Sequence, residues 1–253
     1  MSVQSIRIGL SSPALLALIS PLSAANLVTN GSFELSNFTV NSEFSPAYGS
    51  TSTAVTGWTA TGPSAYNIYF FAGTSTTTSA LNQWNSNAEK LWSLPNLSQD
   101  GGNFIMLDGD TSFDAPITQM ISNLTINQTY SLTFDWAAGQ LQSKSGATTE
   151  QVQFSLGTGV NSTYTTAIVS TPAQGFTEAA NNQWFQVTQT FTANATSELL
   201  SFMAIGTPVG LPPVVLLDGV SLTATVPEPA SIGMLAVGLG AMLVAAKSRF
   251  HRR

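Results

Sequence analysis

The sequence contains no cysteine and a single histidine, His251, close to its end. Without cysteine there is no disulfide framework, thiolate zinc site, iron–sulfur cluster or cysteine nucleophile. One terminal histidine cannot complete a Ser-His-Asp triad or a multi-histidine metal centre. These two absences exclude a large part of enzyme chemistry.

Charge is also scarce. Only 8% of the 253 residues are charged, against about 25% in ordinary globular proteins. Between residues 26 and 226 the only basic side chains are Lys90 and Lys144, against twelve acids, so this part carries about −10. Because nucleic acids are bound largely through Lys and Arg, nucleic-acid binding is excluded.

Residues 1–25 predict a secretory signal peptide. Arg7 supplies the positive start, residues 8–22 form a short apolar stretch, and Ser23 and Ala25 are small residues placed for cleavage before Asn26. The alternative is a buried N-terminal helix.

Residues 230–246 contain no charged side chain and predict one transmembrane helix of roughly 25 Å, at the short end of what spans a bilayer. Lys247, Arg249, Arg252 and Arg253 follow directly. By the positive-inside rule they place the C-terminus in the cytoplasm. Residues 26–226 are therefore expected outside the inner membrane.

Pro227, Glu228 and Pro229 come immediately before the apolar run. This order of motif, helix and basic tail, over residues 227–253, resembles the PEP-CTERM sorting signal of exopolysaccharide-producing Gram-negative bacteria, a profile also labelled ice-binding protein C-terminal domain. The resemblance implies that an exosortase cuts near the motif and that the exterior part reaches the cell surface or extracellular matrix. Two prolines keep such a site extended. The alternative is an ordinary anchor with a proline stop.

Alternation of apolar and polar residues dominates residues 26–226 and predicts an all-β domain. Tyr130, Leu132, Phe134 and Trp136, for example, share one face of a strand. Ten or so strands, each with one wet face, predict a single antiparallel β-sandwich, a jelly roll, besides the signal helix and the transmembrane helix. The strands are expected at 65–71, 103–108, 117–121, 128–136, 150–156, 163–169, 184–191, 198–205 and 214–224.

Residues 26–34 and 217–222 resemble the first and last strands of galactose-binding-like jelly rolls, which include many carbohydrate-binding modules. The resemblance implies a structural calcium ion at Glu34 and Asp218. Asp218 also alternates with Leu216 and Leu222, so a regular strand aims it inward, where an unpaired carboxylate is costly and a hard cation suits it. The alternative is a bulge at Gly219 that turns Asp218 to solvent.

We expect no catalytic residue, and a protein that binds exopolysaccharide through residues that the sequence does not identify. The rival is a carbohydrate-active enzyme, which needs two carboxyl groups flanking a glycosidic bond.

A third hypothesis is ice binding, which needs a flat face of threonine side chains. The Thr-rich stretches 50–56 and 73–79 are instead expected to be polar loops. The acids considered for the enzyme alternative are Asp108, Asp110, Asp114, Asp135 and Glu150. The first three are expected to be structural loop acids. Five aromatic residues are expected to pack rather than to bind sugar: Trp58, Tyr66, Tyr69, Trp84 and Trp92.

Overall fold

The computed structural model describes residues 24–45, 53–60, 62, 66–75, 89–92, 98–171, 184–211 and 213–225. The predicted signal peptide up to residue 23, the transmembrane helix at 230–246, Pro227, Glu228, Pro229 and Trp84 lie outside these residues. Within them, no helix is long and apolar enough to cross a membrane. The domain boundaries therefore stay predictions.

The described residues form twelve strands. They are β1 (Ser42–Glu43), β2 (Thr59–Ala60), β3 (Ile68–Phe70), β4 (Phe104–Asp108), β5 (Ile117–Ser122), β6 (Thr129–Gln140), β7 (Thr148–Leu156), β8 (Thr163–Thr165), β9 (Val169–Thr171), β10 (Phe185–Thr192), β11 (Ser197–Thr207) and β12 (Pro213–Ala224).

These strands pair into two antiparallel sheets. Sheet 1 has the order β1-β3-β4-β12-β6-β10, and sheet 2 has the order β2-β5-β11-β7-β8, with β9 also pairing with β7. The four-strand sets β4-β12-β6-β10 and β5-β11-β7-β8 are connected as in a jelly roll, with the chain crossing repeatedly between the sheets. The predicted antiparallel β-sandwich is confirmed.

Three details differ from the sequence-based expectation. The expected strand at 163–169 is two short strands, β8 and β9. Residues 26–34 form turns with Asn30 and Phe33 at positive φ, although Leu27 N still donates to Leu222 O at 2.8 Å. The two-residue strands β1 and β2 are too short to show an alternating pattern. The described parts of the Thr-rich stretches, 53–56 and 73–75, contain no strand, as expected.

Aromatic side chains fill the space between the sheets. Phe134 of sheet 1 contacts Phe154 and Phe202 of sheet 2, with ring centroids 4.9 and 5.1 Å apart. Trp58 packs on Phe202 at 6.0 Å and donates its Nε1 hydrogen to Asn30 O at 3.0 Å. Trp58 is thus a packing residue, as the sequence predicts.

A second apolar cluster covers the outer face of sheet 1. Phe104, Leu216 and their neighbours there pack against Leu91 and Leu141 from the loops. Strands β3 and β4 and the first half of β12 are therefore buried on both faces, whereas β5 and β11 of sheet 2 expose Met120 and Leu199 on their outer face.

Replacement of Phe202 by Ala tests the central cluster. Phe202 is fully buried, so we expect Phe202→Ala to lower the free energy of unfolding by about 3–5 kcal/mol, measured by urea denaturation of residues 26–226. The control is Met120→Ala, because Met120 is 59% exposed and its loss should change stability by no more than about 0.5 kcal/mol. A loss below about 1 kcal/mol for Phe202→Ala would contradict this packing.

Candidate functional site

Two carboxyl groups lie side by side where β12 pairs with β6. Asp218 and Asp135 are cross-strand partners, and they are 1% and 3% exposed. Asp218 accepts hydrogen bonds from the Ser98 hydroxyl and from Gly219 N at 2.8 Å. Asp135 accepts one from Gln99 N at 3.1 Å. The segment that begins at Ser98 thus contacts both acids.

Asp218 lies on a different face from the one that its alternation predicts. A bulge between Asp218 and Ser221 shifts the register of β12, with Gly219 at φ +61. Leu216 consequently belongs to the outer cluster, while Leu222 belongs to the inner one. Asp218 alternates with Leu216 and so faces outward from the sandwich, yet the loop at Ser98 keeps it from solvent. The alternative hypothesis of a bulge at Gly219 is confirmed, but its expectation that Asp218 turns to solvent is wrong, because Asp218 is 1% exposed.

Glu34 reaches the same loop from the opposite end of the chain. Its Oε1 accepts a hydrogen bond from Asn103 N at 2.6 Å, and its Oε2 accepts one from Asn103 Nδ2 at 2.9 Å. A Cβ atom on Gly102 would lie 1.8 Å from Glu34 Oε1 and would displace this carboxylate from Asn103, and Gly102 has φ +89, a conformation that favours glycine. The structure brings Glu34 and Asp218 to one loop, residues 98–103.

Burial sets the electrostatics of this group. Burial, with a smaller contribution from the negative charges of Asp100 and Glu34, raises the pKa of Asp218 to about 8 against the lowering effect of its hydrogen bonds from Ser98 and Gly219. Burial also raises the pKa of Asp135, with Asp100 again adding to the rise. Within the described residues no three acidic side chains converge in metal-binding geometry. A cation here would therefore need hydroxyl or backbone oxygens besides Glu34 and Asp218.

Asp108 and Asp110 belong to a tight turn after β4. Asp108 Oδ1 accepts a hydrogen bond from Asp110 N at 2.8 Å, and burial raises the pKa of Asp108 to about 8. Asp110 accepts hydrogen bonds from Ser112 N at 2.9 Å and Gly210 N at 2.6 Å. Burial alone would raise the pKa of Asp110, but these backbone bonds outweigh it and lower the pKa.

Glu150 is separate from both groups. Its side chain is fully buried and faces the interior from β7. Burial raises the pKa of Glu150 to about 8, and a hydrogen bond from the Thr148 hydroxyl partly offsets this rise. The acids considered for a glycosidase thus lie at three places: Asp108, Asp110 and Asp114 at the turn, Asp135 on the outer face of sheet 1, and Glu150 inside the sandwich.

The aromatic residues that the sequence singled out mostly pack. Tyr69 is fully buried, Tyr66 meets Phe113 edge-on at 6.4 Å, and Trp92 is half-buried with Nε1 donating to Lys144 O at 3.1 Å. Sequence reasoning missed Phe185, which stays 36% exposed at the start of β10. Its alternation is that of a core residue, so no sequence signal marks it.

Comparison with known proteins identifies the end of the chain and the fold. Residues 225–253 match the family model described as PEP-CTERM protein-sorting motif. The comparison with curated proteins found no match.

Among solved structures, a cyclase from Fischerella sp. TAU is 17% identical over 81% of this chain and all of its own, with a TM-score of 0.51. TmCBM61, solved with β-1,4-galactotriose, is 15% identical over 80% of this chain and all of its own, with a TM-score of 0.43. The CBM22-1 xylan-binding domain of Paenibacillus barcinonensis Xyn10C is 11% identical over 76% of this chain and 97% of its own, with a TM-score of 0.36. At these identities the likeness to the cyclase shows a shared fold and no more.

The raised pKa of Asp218 predicts a pH dependence of stability. Because the folded carboxyl keeps a proton that the unfolded one releases, its contribution is present below pH 4 and is lost as the pH rises toward 8. In the presence of chelator, the free energy of unfolding should fall over this range by up to about 1.4 kcal/mol per pH unit for this group.

Asp218→Asn isolates that contribution, because the amide does not titrate while Asp108 and Glu150 still do. Urea denaturation at pH 5 and pH 8 should show a shallower fall for the variant than for the wild type. Equal slopes for the two proteins would show that Asp218 is not the buried, protonated group described above.

Proposed function

We propose that this chain is an exported, non-catalytic protein whose sandwich binds carbohydrate of the cell-surface matrix. The sorting motif at residues 225–253 supports export and processing by an exosortase. Strand β12 ends at Ala224, so a cut near Pro227, Glu228 and Pro229 leaves every strand of the sandwich on the exterior side.

The placement of the carboxyl groups carries the non-catalytic part of the proposal. A glycosidase needs two carboxyl groups about 5–10 Å apart across an open cleft. In the described residues Asp110 is held by backbone N–H groups, Asp135 lies under the loop at Ser98, and Glu150 is enclosed in the interior. Binding without bond cleavage fits this arrangement best.

The surface chemistry supports carbohydrate as the ligand class. With 8% charged residues, hydroxyl and amide groups dominate the polar surface, and these groups match the hydroxyls of a polysaccharide. In our proposal the signal peptide 1–25 starts export, residues 230–246 hold the chain in the inner membrane of a Gram-negative cell, and processing delivers residues 26–226 to the surface or to the exopolysaccharide.

We also propose that Glu34 and Asp218 hold a structural calcium ion. Both carboxylates meet loop 98–103, and burial raises the pKa of Asp218 to about 8. A bound cation supplies the missing positive charge. Glu34 and Asp218 would then tie both ends of the domain to one loop.

Thermal unfolding with and without calcium tests the ion. A ligand that binds only the folded state raises the melting temperature as its concentration increases. We expect calcium to raise the melting temperature of residues 26–226 relative to chelator, and Asp218→Asn and Glu34→Gln to abolish the rise.

Asp114→Asn is the matched control for these variants, since it removes one acid at the other group and should keep the calcium effect. A wild-type melting temperature that is the same in calcium and in chelator would exclude the ion.

A combined binding and hydrolysis assay tests the function itself. Residues 26–226 should be retained by gels containing a neutral polysaccharide and should release no reducing ends from it during long incubation. Release of reducing ends that disappears in Glu150→Gln or Asp135→Asn would instead establish the enzyme alternative.

A further inference from the structure

Among the described residues, no strand covers one long side of the sandwich. Strand β10 is the edge of sheet 1, and β8 and β9 lie at the edge of sheet 2. Along β10 the residues that face sheet 2 change from Phe191, which is 4% exposed, to Phe185, which is 36% exposed. Toward Phe185, the side chains of β10 that face sheet 2 are therefore covered less completely and reach solvent.

A groove of about 430 Å³ lies between these edges. Trp136 is one of its lining residues, and the ring of Phe185 packs against it with centroids 5.5 Å apart. On the opposite wall Tyr164 stacks on Phe154 at 6.0 Å and 25°. Packing thus fixes both Phe185 and Tyr164 from behind, and each remains partly exposed.

A second hollow of about 280 Å³ adjoins the first, and Tyr164 lines both. Asn161, Thr190 and Asn194 are among its other lining residues. The two hollows follow one another beside β10, and Tyr164, which lines both, contacts Phe191 of β10 with ring centroids 5.3 Å apart. We call the two hollows together the trough. The eight residues of β10 span roughly 25 Å at about 3.3 Å per residue. That length suits an extended chain better than a compact small molecule.

Every described residue that lines the trough is uncharged. Its polar groups are amides and hydroxyls, including Gln186, Gln189 and Thr165. The exported part of the chain carries about −10, and this net charge opposes the approach of an anionic polymer. An apolar, aromatic wall with a few polar groups is the usual lining of a ligand site, and here it matches a neutral polyol with apolar ring faces.

We infer that the trough between β8 and β10 binds a neutral oligosaccharide or polysaccharide chain. Phe185 and Tyr164 stack against the apolar faces of sugar rings, one in each part of the trough. Gln189, on the same face of β10 as Phe185, exchanges hydrogen bonds with the ring hydroxyls. This inference rests on the proposed carbohydrate-binding function and assigns it a site and a ligand charge.

Affinity electrophoresis of residues 26–226 tests the site, because these residues contain every strand of the sandwich. The gels contain the neutral polymers β-glucan, xylan, mannan or galactan, or the anionic polymer alginate. We expect Phe185→Ala and Tyr164→Ala each to weaken binding to a retained neutral polymer by about tenfold or more, as loss of a central aromatic contact usually does.

Phe113→Ala is the matched control, since Phe113 is 37% exposed and lies at the turn after β4, away from the trough. Its affinity should stay within about twofold of the wild type. Tyr164→Phe keeps the ring and should retain most of the binding. Melting temperatures report whether each variant is folded. If Tyr164→Ala does not fold, Phe185→Ala alone provides the test.

The outcomes separate the site from the function. Retention of the wild type by none of the polymers, neutral or anionic, would overturn both. Wild-type retention that Phe185→Ala and Tyr164→Ala leave unchanged would overturn the trough and leave the proposed function standing. Retention by alginate alone would overturn the neutral ligand class. A wild-type dimer in light scattering that Phe185→Ala abolishes would show that a second copy, rather than a sugar chain, occupies the trough.

Discussion

Aromatic contacts between the two sheets are the interaction on which the rest of the molecule depends. Phe134 of sheet 1 meets Phe154 and Phe202 of sheet 2 edge-on, with ring centroids 4.9 and 5.1 Å apart. Without a disulfide, this packing is the principal cross-link between sheets. Beyond this cluster, at the edges formed by β8 and β10, Phe185 and Tyr164 stay partly exposed.

The two predicted processing points meet at one end of the domain. Leu222 N donates to Asn26 Oδ1 at 2.9 Å, and Gln128 Nε2 donates to Thr225 O at 2.9 Å. Asn26 follows the predicted signal cleavage site, and Thr225 begins the sorting match. In our proposal this end of the sandwich faces the membrane before processing, and the trough runs along the side of the domain.

Sequence alternation predicted the positions of the strands well, but it predicted poorly which face Asp218 occupies and how exposed Phe185 is. Residues 130–136 alternate between apolar and polar because one face of the strand packs inward, and the strand predicted from this pattern is present as β6. Asp218 was assigned to the wrong face because a bulge at Gly219 changes the parity of β12, and a bulge leaves no periodic trace. Phe185 shares the pattern of a core residue, since alternation reports which face a side chain occupies and not whether the facing sheet extends far enough to cover it.

The most direct test of the account is a chemical-shift titration of ¹⁵N-labelled residues 26–226 with a short oligosaccharide from a retained neutral polymer. The account predicts that the largest changes fall in residues 161–169 and 185–192, on the two sides of the trough. Changes confined to the acids at β12 and the loop at Ser98, or to the outer face of sheet 2, would contradict it.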